Sequence, residues 1–286
     1  DYNERNGPKT GFEDELIEQA ISYMERIIEY ANPKEFVAIY IDGVCPLAKM
    51  NQQRQRRFAS IVDKEIMNNI RVKNNINKEE YYDTNAITPG TVFMEKFHKK
   101  FLKYVQKWNA KNNVKMLYSS YHENSEGEHK IIQHIRKNMT NKNIVIYGLD
   151  ADLIILSMTI KNNNVLLLRE SDSININDLK LTTSKMQQVI DMGLIYFNVK
   201  ECERCLSHSL IDTDINNIVE ETEDEVREII KDKFKISLEQ HVTNQRLVDD
   251  FVFITLLLGN DFLPPCPTLN MRFKWEKLNG YKQLID

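Results

Sequence analysis

Six acids in this 286-residue chain share a placement, each coming after an apolar run. Asp42 closes "EFVAIYIDG", Glu126 and Glu128 follow "NVKMLYSS", Asp150 and Asp152 follow "NIVIYG", and Asp261 stands just beyond "FVFITLLLG". Singly, each has an ordinary structural use as a helix cap, a turn former or a solvated acid. Gathered in one pocket, they would repel one another unless cations neutralised them. Hard divalent ions suit such a set: Mg²⁺ or Mn²⁺ fits carboxylates and water, and the lack of paired histidines argues against zinc. Two such ions about 4 Å apart would serve in-line attack on a phosphodiester, one activating water and one stabilising the leaving oxygen.

A second set of residues is cationic. In "YIDGVCPLAKMNQQRQRRF", Lys49, Gln53, Arg56 and Arg57 stand at i, i+4, i+7 and i+8, so on a helix they share one face. Such a stripe is a solvated basic face, a localisation signal in "RQRR", or an anion site beside the acids.

The elements that must position these residues alternate. Residues 12–31 carry apolar positions at helical spacing, with Leu16, Ile17, Ala20, Ile21, Met24, Ile27 and Ile28 on one face, and Pro33 ends that helix. "EFVAIYIDG" is a buried strand leading into Asp42, and the stripe helix comes next. The asparagine-rich stretch from Asn68 to Asn85 reads as a long loop. "TPGTVFMEKFHKKFLKYVQKW" is a helix with Thr91 as N-cap and Phe93, Phe97, Phe101, Val105 and Trp108 inward. "NVKMLYSS", "NIVIYG" and "NNNVLLLRE" are further strands, with helical pattern after the acids of the first two. Strands alternating with helices imply an α/β fold with a largely parallel, twisted sheet flanked by helices. In such sheets functional groups gather beyond the carboxyl ends of the strands, where the acids are.

Composition sets bounds. A hydrophobic content of 42% supports a real core, and a formal charge of −4 gives no global pull toward polyanions, so nucleic-acid binding must come from local patches. The apolar run from Phe251 is far shorter than the roughly 18–20 residues of a membrane span and reads as a buried helix capped by Gly259. No membrane segment is expected. Four cysteines and no signal-peptide pattern point to a reducing, cytoplasmic setting, with the nucleus the alternative.

Five blocks, "IDGVCPLAKMNQQRQRRF", "NAITPGTVFM", "EGEHKI", "YGLDADLI" and "DDFVFITLLLGNDFLP", resemble in order the signature blocks of the XRN-type 5′-to-3′ exoribonucleases, from Ile41 to Pro264. The resemblance implies a PIN-like, flap-endonuclease-like fold and a single N-terminal nuclease domain over residues 1–286, incomplete at both ends. It also implies magnesium-dependent, processive hydrolysis of single-stranded RNA with a 5′ monophosphate, releasing nucleoside 5′-monophosphates. Carried over residue by residue, Asp42, Glu126, Glu128, Asp150, Asp152 and Asp261 become catalytic metal-binding acids. Asp1, in "DYN", stands for a seventh acid of an Asp-Met-Asn-Gly motif, whose following base-packing histidine is missing here. Lys49, Gln53, Arg56 and Arg57 become the 5′-phosphate pocket; arginine suits it because its planar fork pairs with phosphate oxygens. Leu47 replaces a basic residue of the family, and Pro265–Cys266 replaces His-Leu. A flap-endonuclease-like DNA nuclease would bring a glycine-rich helix–hairpin–helix, which is not seen; an inactive 5′-end-binding protein would have lost acids that are present.

Other features carry less. Cys202 and Cys205 with His208 have the spacing of half a zinc site, for which Cys45, Cys266 and His241 are possible complements; reduced structural cysteines are the plainer reading. Lys96, Lys99, Lys100, Lys103 and Lys107 form a second basic stripe, either solvated or facing RNA phosphates. His129, beside two acids, is expected to pack or support them rather than ligate. "EETEDEVREIIKDKF" reads as an exposed helix.

Overall fold

The computed structural model describes residues 11–78, 82–161, 163–171, 193–212, 244–260, 263, 264 and 266. The chain divides into two compact units, Asp1–Ile131 and Ile132–Asp286, and the fold is mixed α/β, as the alternation of elements predicts. Asp1, Asp261, His241 and the acidic segment 220–234 lie outside the described residues.

The first unit opens with α1 (Phe12–Ala31), which ends at Asn32 in the left-handed region, one residue before Pro33. Strand β1 (Phe36–Tyr40) leads through the Asp42 loop to α2 (Leu47–Lys73). A short 3₁₀ turn (Thr84–Ala86) precedes α3 (Val92–Lys111), and β2 (Lys115–Ser119) pairs parallel with β1, from Phe36↔Lys115 to Tyr40↔Ser119. A parallel pair needs a long crossover, and α2 and α3 supply it. Thr91 caps α3 as expected, its hydroxyl accepting the N–H of Met94 at 3.3 Å. The core has two parts: Ile17, Ala86, Phe93, Met94 and Tyr121 in one, and Phe101, Val105 and Met116 in the other.

One expectation needs correction in this unit. The loop begins later than Asn68, because α2 continues to Lys73; Asn68 and Asn69 lie on an exposed stretch where their weak helix propensity costs little. The end comes at Asn74, whose side chain donates to Ile70 O at 2.8 Å. The lysine stripe of α3 is solvated at Lys99, Lys103 and Lys107, which are exposed, and carries ion pairs besides: Lys96 with Glu13 and Asp14, Lys100 with Asp14, and Lys99 with Glu95.

The boundary between the units falls within α4 (Gly127–Asn138). The second unit holds β3 (Asn143–Tyr147), α5 (Asp152–Met158), β4 (Asn164–Glu170), β5 (Leu194–Asn198), α6 (Val199–Asp212) and α7 (Asn244–Leu257). Strand β4 is central, parallel to β3 and antiparallel to β5. The antiparallel strand "LIYFN" was not anticipated, since five residues without clear alternation give little signal. Leu167 and Leu168 on β4 are fully buried, and Ile146, Leu153, Val165, Leu194 and Val199 are buried as well.

The run from Phe251 is not the buried helix expected. It lies in α7, where Val248 is buried but Phe253 is 62% exposed and Leu256 and Leu257 are also exposed. An apolar run occupies every face of a helix, and among the described residues α7 packs on α5 and α6. Gly259 follows the helix at φ 81°, as its capping role predicts. Among the described residues, no helix is long and apolar enough to cross a membrane.

Candidate functional site

In the first unit, the loops leaving β1 and β2 are laced together by backbone hydrogen bonds. Ile41 N–H donates to Ser119 O, Gly43 N–H to Ser125 O, and Ser125 N–H to Val44 O, at 2.9–3.0 Å. The approach is close enough to require glycine: a Cβ on Gly43 would fall 1.8 Å from Glu123 O. Asp42 stands two residues beyond β1, and its Oδ1 accepts the N–H of Gly127, the first residue of α4, at 2.6 Å. A carboxylate there satisfies an unpaired helix donor and complements the helix dipole. At Gly127 too the fit is tight, since a Cβ would sit 3.1 Å from both Asp42 Oδ1 and Tyr40 O.

Glu126 and Glu128 flank that glycine. Their carboxylates and the imidazole of His129 offer three ligand atoms within 4.8 Å of one another. His129 Nδ1 lies 3.9 Å from an oxygen of each glutamate, so it is part of the cluster and not merely beside it. Two carboxylates and one imidazole are a donor set that Mg²⁺ accepts and Mn²⁺ accepts well, so the residues present fit a hard divalent ion. Asp42 holds the backbone between the glutamates.

Two buried lysines belong to this cluster. Lys130, on the next turn of α4, donates to Ile41 O at 2.8 Å and to Ser120 O at 2.9 Å, binding the ends of both strands to the helix that carries the glutamates. Burial pushes its pKa below the usual lysine value, while Glu123 and Asp42 oppose that shift. Burial, reinforced by Glu123, raises the Tyr40 phenol to about 12. Lys49, from the first turn of α2, reaches Glu126 with its ammonium 2.7 Å from Oε1 and 2.9 Å from Oε2. The carboxylate that meets the cationic stripe is therefore Glu126, 77 residues away in sequence. Further along that face Gln53 and Arg57 are half-buried, with Arg57 Nη2 donating to Gln53 Oε1 at 3.1 Å, and Arg56 is exposed.

The second unit holds Asp150 and Asp152, both exposed, in the turn between β3 and α5. Asp150 Oδ1 accepts the N–H of Asp152 at 3.2 Å. Arg169 of β4 donates to the carbonyls of Leu149 and Asp150, fixing the turn from the neighbouring strand. Cys202 and Cys205 share one helix, α6, and among the described residues no third ligand joins them as a metal site.

Sequence reasoning missed Lys130 altogether and set His129 aside. The available signal was position: Lys130 follows Glu126 by four residues, one helical turn along the same face.

Comparison with known proteins adds to this geometry. Residues 1–171 match the family described as XRN 5′-3′ exonuclease N-terminus, and residues 241–278 match the Xrn1 helical domain. The chain is 32% identical over 293 residues to a Schizosaccharomyces pombe protein named 5′-3′ exoribonuclease 2, covering 94% of the chain and 28% of that protein. It is 33% identical over 303 residues to a protein of the same name from Kluyveromyces lactis, covering 93% of the chain and 28% of the relative. With Saccharomyces cerevisiae 5′-3′ exoribonuclease 1 the identity is 30% over 274 residues, covering 91% of the chain and 16% of the relative. The chain thus spans less than a third of the length of these relatives.

Proposed function

Because the chain belongs to the XRN 5′-3′ exonuclease N-terminus family, we propose that it forms the catalytic part of a 5′-to-3′ exoribonuclease acting on single-stranded RNA with a 5′ monophosphate. It releases nucleoside 5′-monophosphates and uses Mg²⁺ or Mn²⁺, as two ions. The observation that carries this reading is the Glu126–Glu128–His129 group placed against Lys49, the first residue of the cationic face.

Glu126 and Glu128 would hold the ions, with Asp42, Asp150, Asp152, Asp261 and Asp1 as the further acids. Bound there, the ions supply an activated water and neutralise charge on the leaving oxygen. Asp42 and Lys130 fix the helix that presents the glutamates. Gln53, Arg56, Arg57 and Lys49 bind the terminal phosphate, the guanidinium forks giving direction and the ammonium giving charge. The apolar and aromatic residues of the core carry no role in the chemistry. None of the four cysteines forms a disulfide among the described residues, which suits a reducing compartment, and we place the protein in the cytoplasm.

The test is degradation of end-labelled RNA bearing a 5′ monophosphate, hydroxyl or triphosphate, with and without Mg²⁺. Loss of the monophosphate RNA alone, and only with metal, is the expected result. Metal-independent decay, or equal decay of all three RNAs, overturns the reading.

A further inference from the structure

We propose that α2 is a dimerisation helix: its exposed apolar stripe pairs antiparallel with the same stripe of a second copy of this chain, about a two-fold axis crossing the helix between Ala59 and Ser60. The inference goes beyond the functional reading above and does not depend on it.

Helix α2 runs for 27 residues, about 40 Å, and among the described residues no other element packs broadly along it. Lys49 on Glu126 holds its start, and Lys64 reaches Tyr82 O at 3.3 Å. One side turned to solvent is nevertheless apolar. Leu47 is 77% and Phe58 70% exposed, and Met50, Ile61 and Val72 are exposed with them. The steps from Leu47 through Met50, Arg54, Phe58, Ile61 and Glu65 are of three or four residues, and Val72 lies seven further on, so all of them share one stripe. A continuous exposed apolar stripe marks a surface that meets a partner.

The two charged members of the stripe say which partner. Arg54 and Glu65 are exposed and form no ion pair among the described residues. They stand eleven positions apart, about three turns, so both face the same way. In a parallel pair of copies Arg54 would oppose Arg54 and Glu65 would oppose Glu65, which repel. In the antiparallel pair, Arg54 of each copy meets Glu65 of the other. The apolar residues fall into register with them: Phe58 meets Ile61, Leu47 meets Val72, and Met50 falls beside Asn69 toward the outer turns. The other basic residues of α2 lie off the stripe, so no like charges are opposed within it. One sequence thus supplies both halves of an isologous interface, in which each residue's partner meets that same residue in return. A helix shaped for a different protein has no need of this internal two-fold match. Lys49 and Arg56 lie on the opposite side of the helix and stay outside the interface.

The experiment is sedimentation velocity on the whole chain, freed of nucleic acid, over about 1–100 µM. Wild type is run beside Arg54→Glu, Glu65→Arg, the double exchange carrying both, and an equimolar mixture of the two single variants. Wild type is expected to pass from one copy to two as its concentration rises. Each single variant sets two like-charged pairs across the axis and is expected to associate roughly tenfold more weakly or worse. The double exchange restores both attractions and should associate as wild type does. The mixture should associate although neither component does so alone, because one chain carries acids at both positions and the other carries bases at both. All the substituted side chains are exposed; should a variant fail to fold, the wild-type series and the remaining variants decide. A wild type that stays a single copy throughout the range overturns the proposal and leaves the stripe to a different polypeptide. Single variants that associate like wild type, or a mixture that associates no better than its components, overturn it as well.

Discussion

The acids of the two units are held in contrasting ways. Glu126 is buried and fixed from far along the chain: by Lys49, by Asp42 on the adjoining peptide, and by Lys130 on the ends of both strands. Asp150 and Asp152 are exposed and fixed by a local turn, with Arg169 bracing its carbonyls from the next strand. The first arrangement makes an acid part of the structure, so that its loss is felt in stability. The second ties the acids to one turn and its neighbouring strand.

The largest expected effect breaks that contrast on the exposed side. Asp150→Ala should abolish metal-dependent cleavage while thermal stability without metal changes by no more than about 1 kcal/mol, since one exposed hydrogen bond is lost; Asp152→Ala should abolish cleavage as well. Wild-type turnover in either variant contradicts the role given to the pair. Replacing Mg²⁺ by Ca²⁺ should slow cleavage strongly, because the larger, looser calcium shell aligns the attacking and leaving oxygens poorly, whereas Mn²⁺ should support it. Equal rates in Ca²⁺ speak against positioned ions.

On the buried side the readout is stability. Glu126→Ala leaves the Lys49 ammonium without its carboxylate and should destabilise the chain by about 3–5 kcal/mol in urea denaturation. A comparable loss, about 1–3 kcal/mol for each of the two carbonyls left without its donor, is expected for Lys130→Met. A melt of either variant matching wild type would show that the buried acid is held no more firmly than the exposed pair.

How much of this was legible in the sequence follows the same division. Local signals were read correctly: Pro33 after α1, Thr91 as a cap, and each strand that runs into an acid. Asp150 and Asp152 were legible because a turn after a strand is a short-range pattern. Lys49 on Glu126 and Lys130 on Ile41 and Ser120 join residues separated by 77, 89 and 10 positions, and no periodicity marks such pairs. The long-range ion pairs of the α3 stripe were illegible for the same reason, since its partners Glu13 and Asp14 lie on a helix more than 80 residues earlier. The apolar run in α7 misled because hydrophobicity reports what can be buried, not which neighbours are there to bury it.

The central claim, that the α2 face reads a 5′ phosphate for the acids beside it, is tested most directly by one ratio. Degradation rates of 5′-monophosphate and 5′-hydroxyl RNA are compared in wild type and in a chain carrying Arg56→Ala with Arg57→Ala. A hydrogen bond to a charged group contributes roughly 1.5–3 kcal/mol, and a loss of about 3 kcal/mol is over a hundredfold in kcat/KM. The monophosphate preference should therefore fall about a hundredfold in the double variant, with the hydroxyl rate little changed. If both rates fall together and the ratio stays as in wild type, the face is a general contact for RNA backbone and not a reader of the 5′ end.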